Sequence, residues 1–146
     1  MKTELERIAP MEIEQRSFEM ITAELPHPAD DALAPIIKRV IATEGQTVDI
    51  DYDTGTVYID GEALNETQFG IENGITFHPY DGYEALVFPQ TVPKGCVFVL
   101  GDNRTVSRDS RYAEIGMIDT RHIMGEAVFT LYPFDRFGFV KTNENN

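Results

Sequence analysis

Val48-Asp49-Ile50-Asp51-Tyr52, Asp53-Thr54-Gly55 and Thr56-Val57-Tyr58-Ile59 read as one unit: an alternating run, a turn, and a second run that returns to another turn at Asp60-Gly61. Successive side chains of a strand point to opposite faces, so alternation of apolar and polar residues marks a half-buried strand. Asp, Thr and Gly between two such runs are turn residues, which makes the unit an antiparallel hairpin. The same texture continues downstream. Ala85-Leu86-Val87-Phe88-Pro89 and Cys96-Val97-Phe98-Val99-Leu100 are further strand candidates, joined through Val92-Pro93-Lys94-Gly95, and the run from Ile123 to Pro133 closes the pattern as a last strand. Residues 65 to 83 carry glycines and little periodicity, and are expected to be a long loop or a small irregular insertion. The fold class expected is mainly β and antiparallel.

Upstream of the hairpin the texture differs. Met11, Phe18, Ile21 and Leu25 recur at helical spacing, Pro10 suits a first helical position, and Glu12 and Glu14 complement the positive end of a helix; Pro26 and Pro28 would end it. A helix over residues 10 to 25 is expected. The next piece is ambiguous. Asp30 to Ala34 could start a helix, whereas Ile36-Ile37-Lys38-Arg39-Val40-Ile41 is rich in β-branched residues and is taken as a strand. The domain organisation expected is a helical N-terminal appendage over 1–35, a β domain over 36–140 and a frayed tail over 141–146.

Composition narrows the function. The chain has 146 residues, one domain's worth, a formal net charge of −13 and a single cysteine. Phosphate binding needs a basic stripe and none is visible, so nucleic acid is not an expected partner. No metal and no cofactor are expected. Cys96 lies in an apolar run and reads as a buried strand thiol without a role. No stretch approaches the ~20 apolar residues of a membrane helix, and the acidic N-terminus has no basic start leading into an apolar core, so the chain as written is expected to be soluble.

One segment concentrates chemistry. Gly101-Asp102-Asn103-Arg104-Thr105-Val106-Ser107-Arg108-Asp109-Ser110-Arg111 follows directly on a strand that reads as buried. Taken by itself it could be an ordinary hydrogen-bonded loop, with Asp and Asn capping turns and Arg paired to Asp. The segment, however, resembles the signature box of the type I signal peptidases, matching the pattern Gly-Asp-Asn-x-x-x-Ser-x-Asp-Ser-Arg at every defined position. Val92-Pro93-x-Gly95 before it, and Gly116-x-Ile118, Ile123-x-Gly125-x-Ala127 and Tyr132-Pro133 after it, follow the family's order. Ile37-Lys38-Arg39-Val40-Ile41 resembles the box carrying the family's catalytic lysine, and Val57-Tyr58-Ile59-Asp60-Gly61 the hairpin beyond it.

The resemblance covers residues 36 to 135. It implies serine endopeptidase chemistry that removes signal peptides from preproteins, with Lys38 as general base in an apolar wall that disfavours its ammonium form. Ser107 would orient the lysine nitrogen. Asp109 and Arg111 would brace the loop as an ion pair, with Asp102, Asn103, Arg104 and Ser110 supporting the site. The signal peptide would bind as an extended strand alongside the lysine strand. The family is membrane-anchored with an extracytoplasmic catalytic domain.

Two departures shape the expectation of activity. The family's nucleophile lies in a Ser-Met-x-Pro segment after a membrane helix, and neither is found here. Ser17 sits on the helix expected over 10–25 and reads as an ordinary helix serine. Ala42, Glu44 and Gln46 stand where the family usually has Gly, Pro and Asp. Ile8 to Ile21 is also similar to the opening of precorrin-8X methylmutase, which Ala34 to Ile41 could continue, although Ala42 stands at that family's histidine. The resulting expectation is a chimera joined within Lys-Arg-Val-Ile, inactive or a fragment, with a noncatalytic peptide-binding module or a methylmutase relic as alternatives.

Overall fold

The computed structural model describes residues 18–21, 36–79, 82–127, 129–131, 135 and 138–140. Strands β1 (Phe18–Ile21), β2 (Ile36–Thr43), β3 (Thr47–Asp51), β4 (Thr56–Ile59), β5 (Glu62–Ala63), β6 (Gln90–Thr91), β7 (Cys96–Leu100), β8 (Ile118–Asp119), β9 (Ile123–Glu126), β10 (Phe129–Thr130) and β11 (Gly138–Phe139) follow in chain order. They form a five-stranded sheet ordered β8-β7-β2-β1-β9, a four-stranded sheet ordered β5-β4-β3-β6, and the pair β10-β11. Every pairing between these strands is antiparallel. The fold is therefore the mainly β, antiparallel one that the alternating pattern implied.

Strands β2 and β7 divide the interior. Ile41, Ala42, Phe98 and Leu100 pack into the larger core with Val48, Ile50, Val57 and Ile59 of the second sheet, whereas Val40, Val97 and Val99 form a smaller core with Ile118. A strand covered on both faces needs β-branched and apolar residues at consecutive positions, which Val40-Ile41-Ala42 and Val97-Phe98-Val99-Leu100 supply. Each fully buried Val, Leu, Ile or Phe contributes about 1.5–3 kcal/mol from water exclusion. A bulge in β2 between Val40 and Ala42 accommodates the change of phase. Gly45, at φ +84, then turns the chain into β3, and its amide donates to Val92 O at 2.9 Å.

β3 and β4 form the hairpin expected from the sequence, and their register sets Ile50 opposite Val57 and Val48 opposite Ile59. Three expectations need correction. Phe18–Ile21 is a strand, not part of a helix; residues 10–17 and 22–25 lie outside the described residues. Its backbone is bonded on both sides, to β2 and to β9, and that two-sided ladder outweighs the helical spacing of its apolar residues. Residues 85 to 89 do not form a strand: Ala85 makes a single bridge to Tyr112, and Val87 is 76% exposed, with no sheet face to cover it. The run from Ile123 does not continue to Pro133 as one strand; β9 stops at Glu126 and β10 pairs with β11 instead.

Strand β2 is flanked unevenly. It pairs with β1 from Ile36 to Arg39, and with β7 only from Arg39 onward. On the β7 side, then, the Ile36–Lys38 backbone has no strand neighbour among the described residues.

Candidate active site

The end of β7 and the first part of β2 lie side by side, with Arg39 opposite Leu100. That register sets Lys38 beside the loop that begins at Gly101. The Lys38 amine donates to Ser107 Oγ at 2.7 Å, across 69 positions of sequence. Burial pulls the Lys38 amine below the ordinary lysine range; the Asp109 carboxylate opposes this, and the Arg111 guanidinium adds to it. A lysine whose ammonium form is disfavoured is a better proton acceptor near neutrality than one in water.

Gly101 makes the approach possible. A Cβ there would lie 2.0 Å from Ser107 Oγ, 2.5 Å from Ser107 Cβ and 3.2 Å from Lys38 Nζ. Only a residue without a side chain leaves that space to the amine and the hydroxyl.

The loop around the pair is held by its own polar groups. Asp109 and Arg111 form a buried ion pair, with Arg111 Nε 2.8 Å and Nη2 3.0 Å from the two carboxylate oxygens. Arg111 also donates to Phe77 O at 3.0 Å and to Arg104 O at 2.8 Å, so one guanidinium gathers three parts of the chain. Asp109 accepts from the Gly101 amide at 3.1 Å. Ser110 exchanges two bonds with Val99, accepting its amide at 3.0 Å through Oγ and donating its own amide to Val99 O at 3.1 Å. Asn103 closes the tight turn: its carbonyl accepts from the Ser107 amide at 3.0 Å, and its side chain accepts from Thr105 Oγ1 at 2.8 Å.

Next to the pair, Arg39 and Asp102 meet through two contacts of 2.9 Å. The Arg39 guanidinium also lies 4.5 Å from the Phe69 ring centroid. Arg104 is buried against Glu66 and donates through Nε to Gly101 O at 3.0 Å. All the residues singled out in the sequence thus fall in one region: Lys38, Ser107, Asp109 and Arg111 at its centre, Asp102, Arg104 and Ser110 fastening its edges, and Asn103 on the exposed turn. Arg39, Glu66, Phe69 and Thr76 were not foreseen. Arg39 is adjacent to Lys38 and could have been paired with Asp102 on charge alone, whereas Glu66 and Thr76 carry no local signal. Among the described residues no cluster of three or more His, Cys, Asp or Glu side chains is arranged to hold a metal, and no helix is long and apolar enough to cross a membrane.

The centre of the region is thus a half-buried lysine amine on β2, hydrogen-bonded to a serine hydroxyl in a polar loop. The family model for signal peptidase, peptidase S26, matches residues 5–132, and the chain belongs to that family. It is 35% identical over 118 residues to signal peptidase IB of Staphylococcus aureus (strain MRSA252), covering 75% of this chain and 59% of that protein. It is 40% identical over 102 residues to the probable signal peptidase I-1 of Synechocystis sp., covering 70% of this chain and 45% of that protein. The crystal structure of a signal peptidase I from Enterococcus faecalis V583 superposes with a TM-score of 0.52 at 32% identity, over 77% of this chain and 94% of that one. The chain thus spans about half the length of the curated relatives it matches.

Proposed function

We propose that this chain supplies the general-base half of a signal peptidase site. It receives the stretch of a preprotein around the cleavage point, and Lys38 takes the proton from a nucleophilic serine hydroxyl as the acyl bond forms. The observation that carries this reading is the part-buried 2.7 Å contact between Lys38 Nζ and Ser107 Oγ. An amine fixed by one hydrogen bond is already oriented, which is what a base needs before it can accept a proton. Asp109 and Arg111 hold the loop in that geometry and are not themselves bases.

The substrate in this reading is an extended peptide added to β2 on the side where Ile36–Lys38 lacks a strand neighbour among the described residues. Main-chain bonds would give affinity, and alternate side-chain positions would give selectivity. None of the motif-matched residues places a nucleophilic serine, so the chain alone binds such peptides without cleaving them. The family match begins at residue 5, upstream of the stretch that resembles the methylmutase opening, which supports one continuous family sequence over a junction.

The test is a titration with a signal-peptide-like peptide, followed by backbone NMR and by assay of the products. Shifts at residues 36–38 and 101–107 with intact peptide are expected. Absence of binding would overturn the reading. Turnover that survives Ser17→Ala and is lost in Lys38→Ala would show that a nucleophile is already present. Binding, but no turnover when a Ser-Met-x-Pro segment is supplied as a separate chain, would favour a noncatalytic peptide-binding module.

A further inference from the structure

Glu66 is 1% exposed, lies outside every segment that resembles the family's boxes, and faces the guanidinium of Arg104, itself 3% exposed. It opens a short 3-10 turn, Glu66–Phe69, capped by Asn65, whose side chain accepts from the Thr67 amide. The Glu66 amide is fixed in turn by Asn73 Oδ1 at 2.7 Å. A carboxylate this deeply buried is costly unless it is paired. Its one-turn platform touches both halves of the site: Glu66 holds Arg104 of the box loop, and Phe69 lies under Arg39, the residue after Lys38.

Arg104 passes that hold inward. Its Nε donates to Gly101 O at 3.0 Å, its Nη1 donates to Thr76 Oγ1, and its own carbonyl accepts from Arg111 Nη2 at 2.8 Å. Gly101 is the residue whose missing side chain leaves room for the Lys38 and Ser107 contact. An unbroken series of polar contacts therefore runs from Glu66 through Arg104 to the backbone directly beneath the reacting pair. The guanidinium fork suits this relay because it makes several bonds in one fixed plane, which a lysine ammonium could not reproduce.

We infer that Glu66 is a positioning residue for the Lys38 and Ser107 pair, acting through Arg104 and the Gly101 carbonyl. The inference rests on the reading of that pair as the site and deepens it. Glu66 contacts neither reacting atom. Its part is to fix the Arg104 plane so that Gly101 stays beneath the amine and the loop continues to exclude water from it.

The test follows the Lys38 side chain by NMR of the uniformly 13C-labelled chain, through its Cε and Hε signals over a pH titration, with the chain's other lysines as internal references. Glu66→Gln and the double variant Glu66→Met/Arg104→Met are compared with the unaltered chain. The double variant removes both charges together, so it avoids leaving an unpaired buried ion that would unfold the chain for an unrelated reason. The expected result is folded variants whose Lys38 midpoint moves up by about one unit or more toward the ordinary lysine value of about 10.4, as water reaches the amine, with the other lysines unmoved. A folded double variant with an unchanged Lys38 midpoint would overturn the inference. Failure of both variants to fold would also overturn it, because the pair would then be needed for the fold as a whole and not for placing the amine. If Lys38 of the unaltered chain titrates like an exposed lysine, the site reading itself fails; an unmoved variant against a depressed reference removes only the role given to Glu66.

Discussion

Arg39 and Asp102 meet through two contacts of 2.9 Å, one residue beyond Lys38 on β2 and one residue beyond Gly101 after β7. The pair spans the seam where the two halves of the site join. Arg39 is buried to 1% exposure, while the Asp102 side chain is 36% exposed. Replacing Asp102 by Asn keeps the shape and removes the charge facing a buried guanidinium. Breaking a fully buried pair costs about 3–5 kcal/mol, and water access to Asp102 reduces this to about 1–3 kcal/mol, read as a lower urea midpoint with unchanged slope. A loss below a few tenths of a kcal/mol would show that the seam does not depend on this pair.

Gly101→Ala tests the space beneath the amine. A methyl group 2.0 Å from Ser107 Oγ and 2.5 Å from its Cβ cannot be relieved by rotating the serine alone, so the loop must shift. The expected outcome is a folded protein, destabilised by about 1–3 kcal/mol as in other overpacked interiors, whose crystal structure shows Lys38 and Ser107 out of hydrogen-bond reach. An intact contact in that structure would disprove the steric account.

Lys38 gives the chain a characteristic dependence on pH. Its folded value is lowered by burial, so between that value and about 10.4 the unfolded chain binds more protons than the folded one. Stability from this group therefore rises with pH through that window, and the cost of burying the ammonium is felt in full below it. Lys38→Met should raise stability at neutral pH and flatten the alkaline part of the curve. Denaturant midpoints measured from neutral pH upward decide the matter; a variant less stable than the parent at pH 7 would contradict it.

Asp109 and Arg111 are the least tolerant positions. Both are buried, and Arg111 also holds the carbonyls of Phe77 and Arg104. Asp109→Ala leaves a guanidinium without its counter-ion, at a cost of about 3–5 kcal/mol. That is a large share of the 5–15 kcal/mol that a domain of ordinary stability possesses. Circular dichroism should show a cooperative transition shifted far down in temperature, and an unshifted one would mean that the loop is held by other contacts.

The β3–β4 hairpin was legible because one face of it is covered and the other is not, so alternation survives in the letters. The strand at Phe18–Ile21 was not, because Met11, Phe18, Ile21 and Leu25 satisfy helical spacing while the deciding ladders come from β2 and β9, distant in sequence. Residues 85 to 89 are apolar and match a strand in composition, but a strand also needs a partner and a face to cover, and sequence shows neither. At the site, the meeting of Lys38 with Ser107 came from family resemblance; no local property of either residue announces it. Glu66 was invisible for the same reason in stronger form. Its environment is created by a turn of the second sheet folding back on the first.

The bulge between Val40 and Ala42 gives β2 its sense of direction. Residues on one side of the strand fill the smaller core and those on the other fill the larger, so a slip of one place along β7 would exchange the contents of the two. Val40 would enter a space shaped for Ile41, and Lys38 would turn toward the side that Arg39 now occupies. The aim of the amine is thus set by how much room two hydrophobic compartments leave on either side of a shared wall. Enlarging or shrinking a residue in either compartment, far from any polar group, is a way to steer the lysine without touching it.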